Sequence, residues 1–146
     1  MGYPNAFNAY QKTNVSTASQ GRLVVLLYEG AIKQLKTALG YIGENGKIKP
    51  SEIEKFGIAV QKTQSIITEL QVSLDMEKGG EIARNLMSLY LYFNEELVTA
   101  SINHDKTKLE FVLNMMGQLA VSWRQVANST ANAPAAQIDN AVNIVG

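Results

Sequence analysis

His104 is the first residue to consider for catalysis, because it is the only histidine among the 146 residues. A Ser-His-Asp triad would have to pair it with Asp105 or Asp75, but the turn predicted around His104 would leave its ring in solvent. A ferritin-type di-iron site needs two Glu-x-x-His pairs, and the residue three positions before His104 is Ser101. We therefore interpret His104 as a surface histidine near a helix C-terminus.

The acidic pairs and the paired glycines are no better placed for chemistry. Glu95 and Glu96 are adjacent, so on a helix their side chains diverge by about 100° and do not converge on one substrate. Glu77 and Glu81 are interpreted as solvated. The Gly79-Gly80 pair could expose N–H groups to an anion, but it lacks the lysine and the preceding strand of a phosphate-binding loop, so we predict a turn. The sequence predicts neither an enzyme nor a cofactor.

Composition excludes further classes of function. The absence of cysteine rules out disulfides, thiolate zinc sites and a cysteine nucleophile. Thirteen basic and thirteen acidic side chains give no net charge, which argues against nucleic acid and anionic membranes as partners. No signal peptide and no long apolar stretch is present, so we expect a cytoplasmic protein without membrane insertion. At this length the chain should form one domain.

Apolar residues recur at spacings of three and four, which predicts four helices with one buried face each. The predicted core positions, in chain order, are Leu23, Leu27, Ala31, Leu35, Ala38, Ile42; Ile53, Phe56, Val60, Thr63, Ile67, Leu70, Leu74; Ile82, Leu86, Leu89, Phe93, Leu97, Ala100; and Leu109, Val112, Met116, Leu119, Trp123, Val126.

Local signals predict where these helices begin and end. The first helix should stop near Gly43, and the sequence Ser-Glu-Ile-Glu at 51–54 predicts a capping box for the second. Gly79-Gly80 predicts the next turn, Asp105 should cap the fourth helix, and Asn128 should end it. We expect an all-α, antiparallel four-helix bundle over residues 17–128, with a docking N-terminal segment (1–16) and a flexible C-terminal tail (129–146).

The segment 86–93 contains more apolar side chains than a core face requires. Seven of its eight residues are apolar or aromatic, whereas one buried face takes three or four. With Leu86, Leu89 and Phe93 inside, other apolar residues of the third helix must lie on its flank, and the fourth helix repeats this pattern. The flanking residues are Met87, Tyr90, Leu91, Phe111 and Met115. Either the terminal segments cover them or they form a recognition surface; both explanations stay open.

Three glycines fall inside predicted helices, where each costs about 1 kcal/mol relative to alanine. They are Gly30, Gly57 and Gly117. We favour close packing within the bundle as the reason, with the approach of a partner helix as the alternative.

Residues 73–86 (SLDMEKGGEIARNL), preceded by Glu69-Leu70 and followed by LYLY at 89–92, resemble the signature of the flagellar secretion chaperone FliS family. Ala9-Tyr10, LYEGAI at 27–32 and Trp123 match the same family in the same order, so the resemblance covers about residues 7–128. Two departures are SQGR at 19–22, where Ser-Pro-Glu-Lys is usual, and Glu29, where Asp is common.

The resemblance implies a cytoplasmic helical chaperone that binds the disordered C-terminal region of flagellin. It would block premature polymerisation and deliver flagellin to the flagellar export gate; the export gate and regulatory proteins are further candidate partners. The candidate client-binding residues are Tyr10, Tyr28, Met87, Tyr90, Leu91, Phe111 and Met115. The alternative is a helical adaptor or dimerisation module without this client, and a weak homodimer stays open.

For each terminal segment we hypothesise that it can cover the client groove. Tyr10, with Phe7 and Val15, could lie over the client groove of the free protein and move when the client binds. In the tail, Ile138, Val142 and Val145 form a short apolar stripe that could occupy the same groove.

Overall fold

The computed structural model describes residues 17–132 of the chain, with side chains described for residues 20–129. This part of the protein contains four α-helices: α1 (Thr17–Gly40), α2 (Ile53–Ser73), α3 (Gly80–Asn103) and α4 (Lys106–Asn132). A 3-10 turn, Pro50–Glu52, precedes α2. The predicted all-α four-helix bundle is confirmed. Over residues 17–132, no helix combines the length and apolar character needed to span a membrane.

The helices form a four-sided bundle. Each helix packs against the next one in the chain, and α4 packs against α1 to close the bundle. The pairing of α1 with α4 is antiparallel: Gly21, early in α1, lies against Ala127, late in α4. On the opposite side, the Phe56 ring of α2 packs edge-on against His104, at the end of α3. Helices α1 and α3 are therefore diagonal partners whose outer faces point in opposite directions.

The core follows the predicted faces closely. All six core positions predicted for α1 are buried, as are most of those in the other helices. Thr63 is fully buried, and its hydroxyl donates a hydrogen bond to the Ala59 carbonyl oxygen at 2.9 Å. Ile53 is exposed, contrary to prediction; it is the first residue of α2, and the buried face of the helix begins at Phe56.

The predicted helix boundaries are partly confirmed. Asp105 caps α4, since its carboxylate accepts a hydrogen bond from the Lys108 backbone N–H at 3.3 Å. The capping box at 51–54 is wrong: Pro50, with its preset φ, begins the 3-10 turn, and α2 starts only at Ile53 without a side-chain cap. Helix α4 continues to Asn132, because no glycine or proline interrupts it after Asn128.

The turn between α2 and α3 explains part of the sequence signature at 73–86. The Asp75 carboxylate accepts hydrogen bonds from the backbone N–H groups of Glu77 (3.1 Å) and Lys78 (2.9 Å). Gly80 then begins α3 with φ of +52°, a conformation that glycine adopts without strain. This part of the signature therefore builds the connection that positions α3.

Close packing does not explain the glycines inside α2 and α4. A Cβ atom added at Gly57 or at Gly117 would have no heavy atom within 4 Å, so our favoured explanation is wrong at both positions. The close approach occurs instead at Gly21, where an added Cβ would lie 3.7 Å from the Ala127 side chain.

Candidate functional site

Two of the candidate client-binding residues, Tyr28 and Tyr90, lie in the core and not on the surface. Their exposed fractions are 0% and 1%. Their hydroxyl oxygens are 2.5 Å apart and share a hydrogen bond across the bundle, between α1 and α3. The Trp123 ring of α4 packs against Tyr28 with a centroid distance of 6.4 Å. These tyrosines are therefore not available to a client in this conformation.

The environment keeps both tyrosines neutral. Burial raises the pKa of Tyr28 to about 12. Burial also raises the pKa of Tyr90 well above its ordinary value, and the neighbouring Tyr28 hydroxyl raises it further. The sequence analysis placed Tyr90 on the flank because Leu89 filled the core position. The hydrogen-bond partner that allows Tyr90 to be buried is 62 residues away in the chain.

An exposed apolar stripe runs along the outer face of α3. Leu91 is 52% exposed, Val98 48% and Ile102 73%. Their spacings of seven and four place them on one face of the helix, and the half-buried Met87 extends that face by one turn. From Met87 to Ile102 the stripe is about 22 Å long at 1.5 Å per residue. We call these four residues the α3 stripe.

The sequence analysis predicted Met87 and Leu91 but missed Val98 and Ile102. The signal was available, because both lie in helical register with Leu91 and opposite the predicted core face. The apolar density is highest at 86–93, but the register of Leu91 continues beyond that segment to Val98 and Ile102.

A second group of apolar side chains lies on the α4 side of α3. The rings of Tyr92 and Phe111, both exposed, meet edge to face with centroids 6.0 Å apart. Half-buried Met115 lies one turn after Phe111 and packs against the core. We call Tyr92, Phe111 and Met115 the aromatic edge. Leu91 and Tyr92 are successive residues of α3, so the aromatic edge lies about 100° around the helix from the α3 stripe.

Polar contacts hold the aromatic edge in place. The Tyr92 hydroxyl donates to Glu96 Oε1 at 2.8 Å, and Lys108 Nζ lies 2.7 Å from Glu96 Oε2. The hydrogen bond from Lys108, followed by that from Tyr92, lowers the pKa of Glu96. These contacts tie α3 to α4 and orient the Tyr92 ring towards Phe111.

The remaining candidate residues offer no reaction chemistry. His104 ends α3, is half-buried and packs against Phe56, while the carboxylate of Asp105 caps α4. No group of three His, Cys, Asp or Glu side chains in the described part of the chain could hold a metal ion. Tyr10 and the other residues of both terminal hypotheses lie outside the described residues. The arrangement on α3 and α4 is suited to binding the apolar face of another helix.

Comparison with known proteins agrees with the resemblance seen in the sequence. The family model described as flagellar protein FliS matches residues 3–130. The flagellar secretion chaperone FliS of Campylobacter jejuni subsp. jejuni is 32% identical, over 85% of this chain and 92% of the relative. The protein of the same name from Salmonella typhimurium is 32% identical over 77% of this chain and 80% of the relative. The one from Bacillus subtilis is 30% identical over 88% of this chain and 91% of the relative.

Proposed function

Because this chain belongs to the FliS family of flagellar proteins, whose relatives are named flagellar secretion chaperones, we propose that its client is flagellin. It binds the disordered C-terminal region of flagellin in the cytoplasm, prevents premature polymerisation and delivers the client to the flagellar export apparatus. The client-binding residues are those of the α3 stripe and the aromatic edge.

The observation that carries this proposal is the α3 stripe. Fully burying a large aliphatic side chain contributes about 1.5–3 kcal/mol, so covering half-exposed Leu91 and Val98 contributes roughly 1 kcal/mol each. Ile102, the most exposed of the three, contributes somewhat more. A client helix seated here would gain about 3–5 kcal/mol from these contacts before the cost of ordering the client is subtracted.

The geometry of the stripe also favours a helical client. An apolar face that is one residue wide and about 22 Å long fits an amphipathic helix of four turns, not an extended strand. Flagellin segments that pack as helices against other subunits in the filament would expose such faces in the free monomer. Covering those faces blocks the contacts on which polymerisation depends.

The test is a calorimetric titration with a peptide of about 40 residues from the C-terminus of the host's flagellin, a length that allows a client segment to fold on binding. We expect saturable binding with a negative heat-capacity change, weakened by Leu91→Glu and by Ile102→Glu. Leu26→Glu is the matched control, because Leu26 is 57% exposed on α1, diagonal to α3.

Equal binding by wild type and both α3 variants would show that the client does not bind at the α3 stripe. No binding by folded wild type would favour the adaptor or dimerisation module. In that case light scattering should show a dimer that Leu91→Glu dissociates, since the same stripe could pair with a second copy.

A further inference from the structure

Charge is distributed unevenly over this protein although its total is zero. Six cations and two anions lie on α1 and α4, so this pair of helices carries a net charge of +4, whereas α3 carries −2. The cations are Arg22, Lys33, Lys36, Lys106, Lys108 and Arg124, and the anions are Glu29 and Glu110. Lys108 is paired with Glu96 of α3, so it does not contribute to the surface between α1 and α4, where the charged residues that line a groove are the cations Lys36 and Arg124.

This groove between α1 and α4 lies on the face of the bundle opposite the α3 stripe. It encloses about 480 Å³. Its lining combines apolar Ile32, Leu113 and Val121 and the amides Asn114 and Gln118 with the cations Lys36 and Arg124. Apolar side chains together with cations suit an amphipathic acidic segment.

Gly117 lies in the floor of this α1/α4 groove, between Leu113 and Val121 on the same face of α4. Glycine there costs α4 about 1 kcal/mol relative to alanine. A Cβ at this position would meet nothing within 4 Å, so packing inside the bundle does not require the missing side chain. The space above Gly117 instead allows another backbone to approach α4 closely.

The cations beside the groove are largely unneutralised. Among the described side chains, Lys36 has no carboxylate within ion-pair distance. Arg124 pairs with Glu29 across the groove at 3.5 Å, and both side chains are nearly half exposed. An exposed pair of this kind contributes little to stability, so the Arg124 guanidinium can exchange Glu29 for a partner's carboxylate.

We propose that the α1/α4 groove binds an amphipathic helix of a second protein partner, which carries small apolar residues over Gly117 and Asp or Glu along both flanks. The cations Lys36 and Arg124 in the groove select acidic flanks, and the open space above Gly117 selects a small contact face. Because the groove and the α3 stripe lie on opposite faces of the bundle, this partner and the client bind at the same time. The inference goes beyond the proposed function.

The probe is a fluorescein-labelled synthetic helix of about 20 residues, long enough to span the part of α4 that lines the groove, Leu113 to Arg124. One face carries Ala and Leu and the flanks carry Glu; a second peptide has Lys at every Glu position. In fluorescence anisotropy the full-length protein should bind the Glu peptide and not the Lys peptide, and added salt should weaken binding.

Two variants locate the site. Gly117→Leu fills the floor without an internal clash, and Lys36→Glu reverses a charge of the lining; each should weaken binding of the Glu peptide roughly tenfold or more. Gly57→Leu is the matched control, because a Cβ at Gly57 also meets nothing within 4 Å but lies on α2. Thermal unfolding should show that all three variants are folded.

Four results would overturn the proposal. The first is equal binding of both peptides, and the second is full binding by Gly117→Leu. The third is a homodimer of the wild type that Gly117→Leu dissociates, which would assign the groove to a second copy of this chain. Titration of the same variant with the flagellin peptide separates the two sites: unchanged client binding supports a second partner, whereas its loss would place the groove in the client site and refute the inference.

Discussion

Replacing Tyr90 with phenylalanine tests whether the two buried tyrosines act in the core or at the client surface. The change removes one hydroxyl and leaves the Tyr28 hydroxyl buried without its partner. An unsatisfied buried polar group costs about 1–3 kcal/mol, so we expect Tyr90→Phe to lower the free energy of unfolding by that amount. Tyr28→Phe should have a similar effect for the same reason.

The double variant distinguishes a hydrogen bond from simple loss of packing. With both hydroxyls removed, neither tyrosine leaves a hydroxyl without a partner, so the double variant should be less destabilised than the sum of the single variants. Urea unfolding at constant m-value measures the three differences, and the coupling should be about 1–2 kcal/mol. Client affinity at a temperature where all variants are folded should not change.

The same pair predicts how stability depends on alkaline pH. In the unfolded chain a tyrosine ionises near its ordinary pKa of 10.0, while the folded protein holds the pKa of Tyr28 at about 12. The stability associated with the neutral hydroxyl is therefore complete below about pH 10 and is lost as the pH rises towards 12. The double variant should lose less stability than wild type over this range. Additive destabilisation, or a weaker client complex in either folded single variant, would refute the assignment of these tyrosines to the core.

Two further predictions concern glycines and a turn. Gly57→Ala and Gly117→Ala should each raise the free energy of unfolding by about 1 kcal/mol, because neither added Cβ meets an atom within 4 Å; an unchanged or lower urea midpoint would show that these glycines have a structural role. Asp75→Ala should destabilise the protein by about 1–2 kcal/mol, because two backbone N–H groups lose their acceptor. Hydrogen exchange at Glu77 and Lys78 should become faster than in wild type, and unchanged exchange would contradict this account.

Local sequence patterns determined the helices and their buried faces. The apolar spacing from Leu23 to Ala38 lies entirely within α1, so this helix could be predicted without knowledge of its neighbours. The cap at Asp105 and the turn at Gly80 are equally local. The excess of apolar residues at 86–93 indicated the helix that carries exposed apolar surface, and Leu91 on that helix is indeed exposed.

Only the tertiary structure decided which of two adjacent apolar residues is buried and what surface the others form. Leu89 and Tyr90 are both compatible with a core face, and Tyr90 is the more deeply buried because Tyr28, on the diagonal helix, accepts or donates its hydrogen bond. The basic α1/α4 groove likewise combines residues more than 80 positions apart, such as Lys36 and Gly117. Sequence periodicity shows on which side of its own helix a residue lies. Whether that side is buried, and what charge surrounds it, depends on which other helix packs against it.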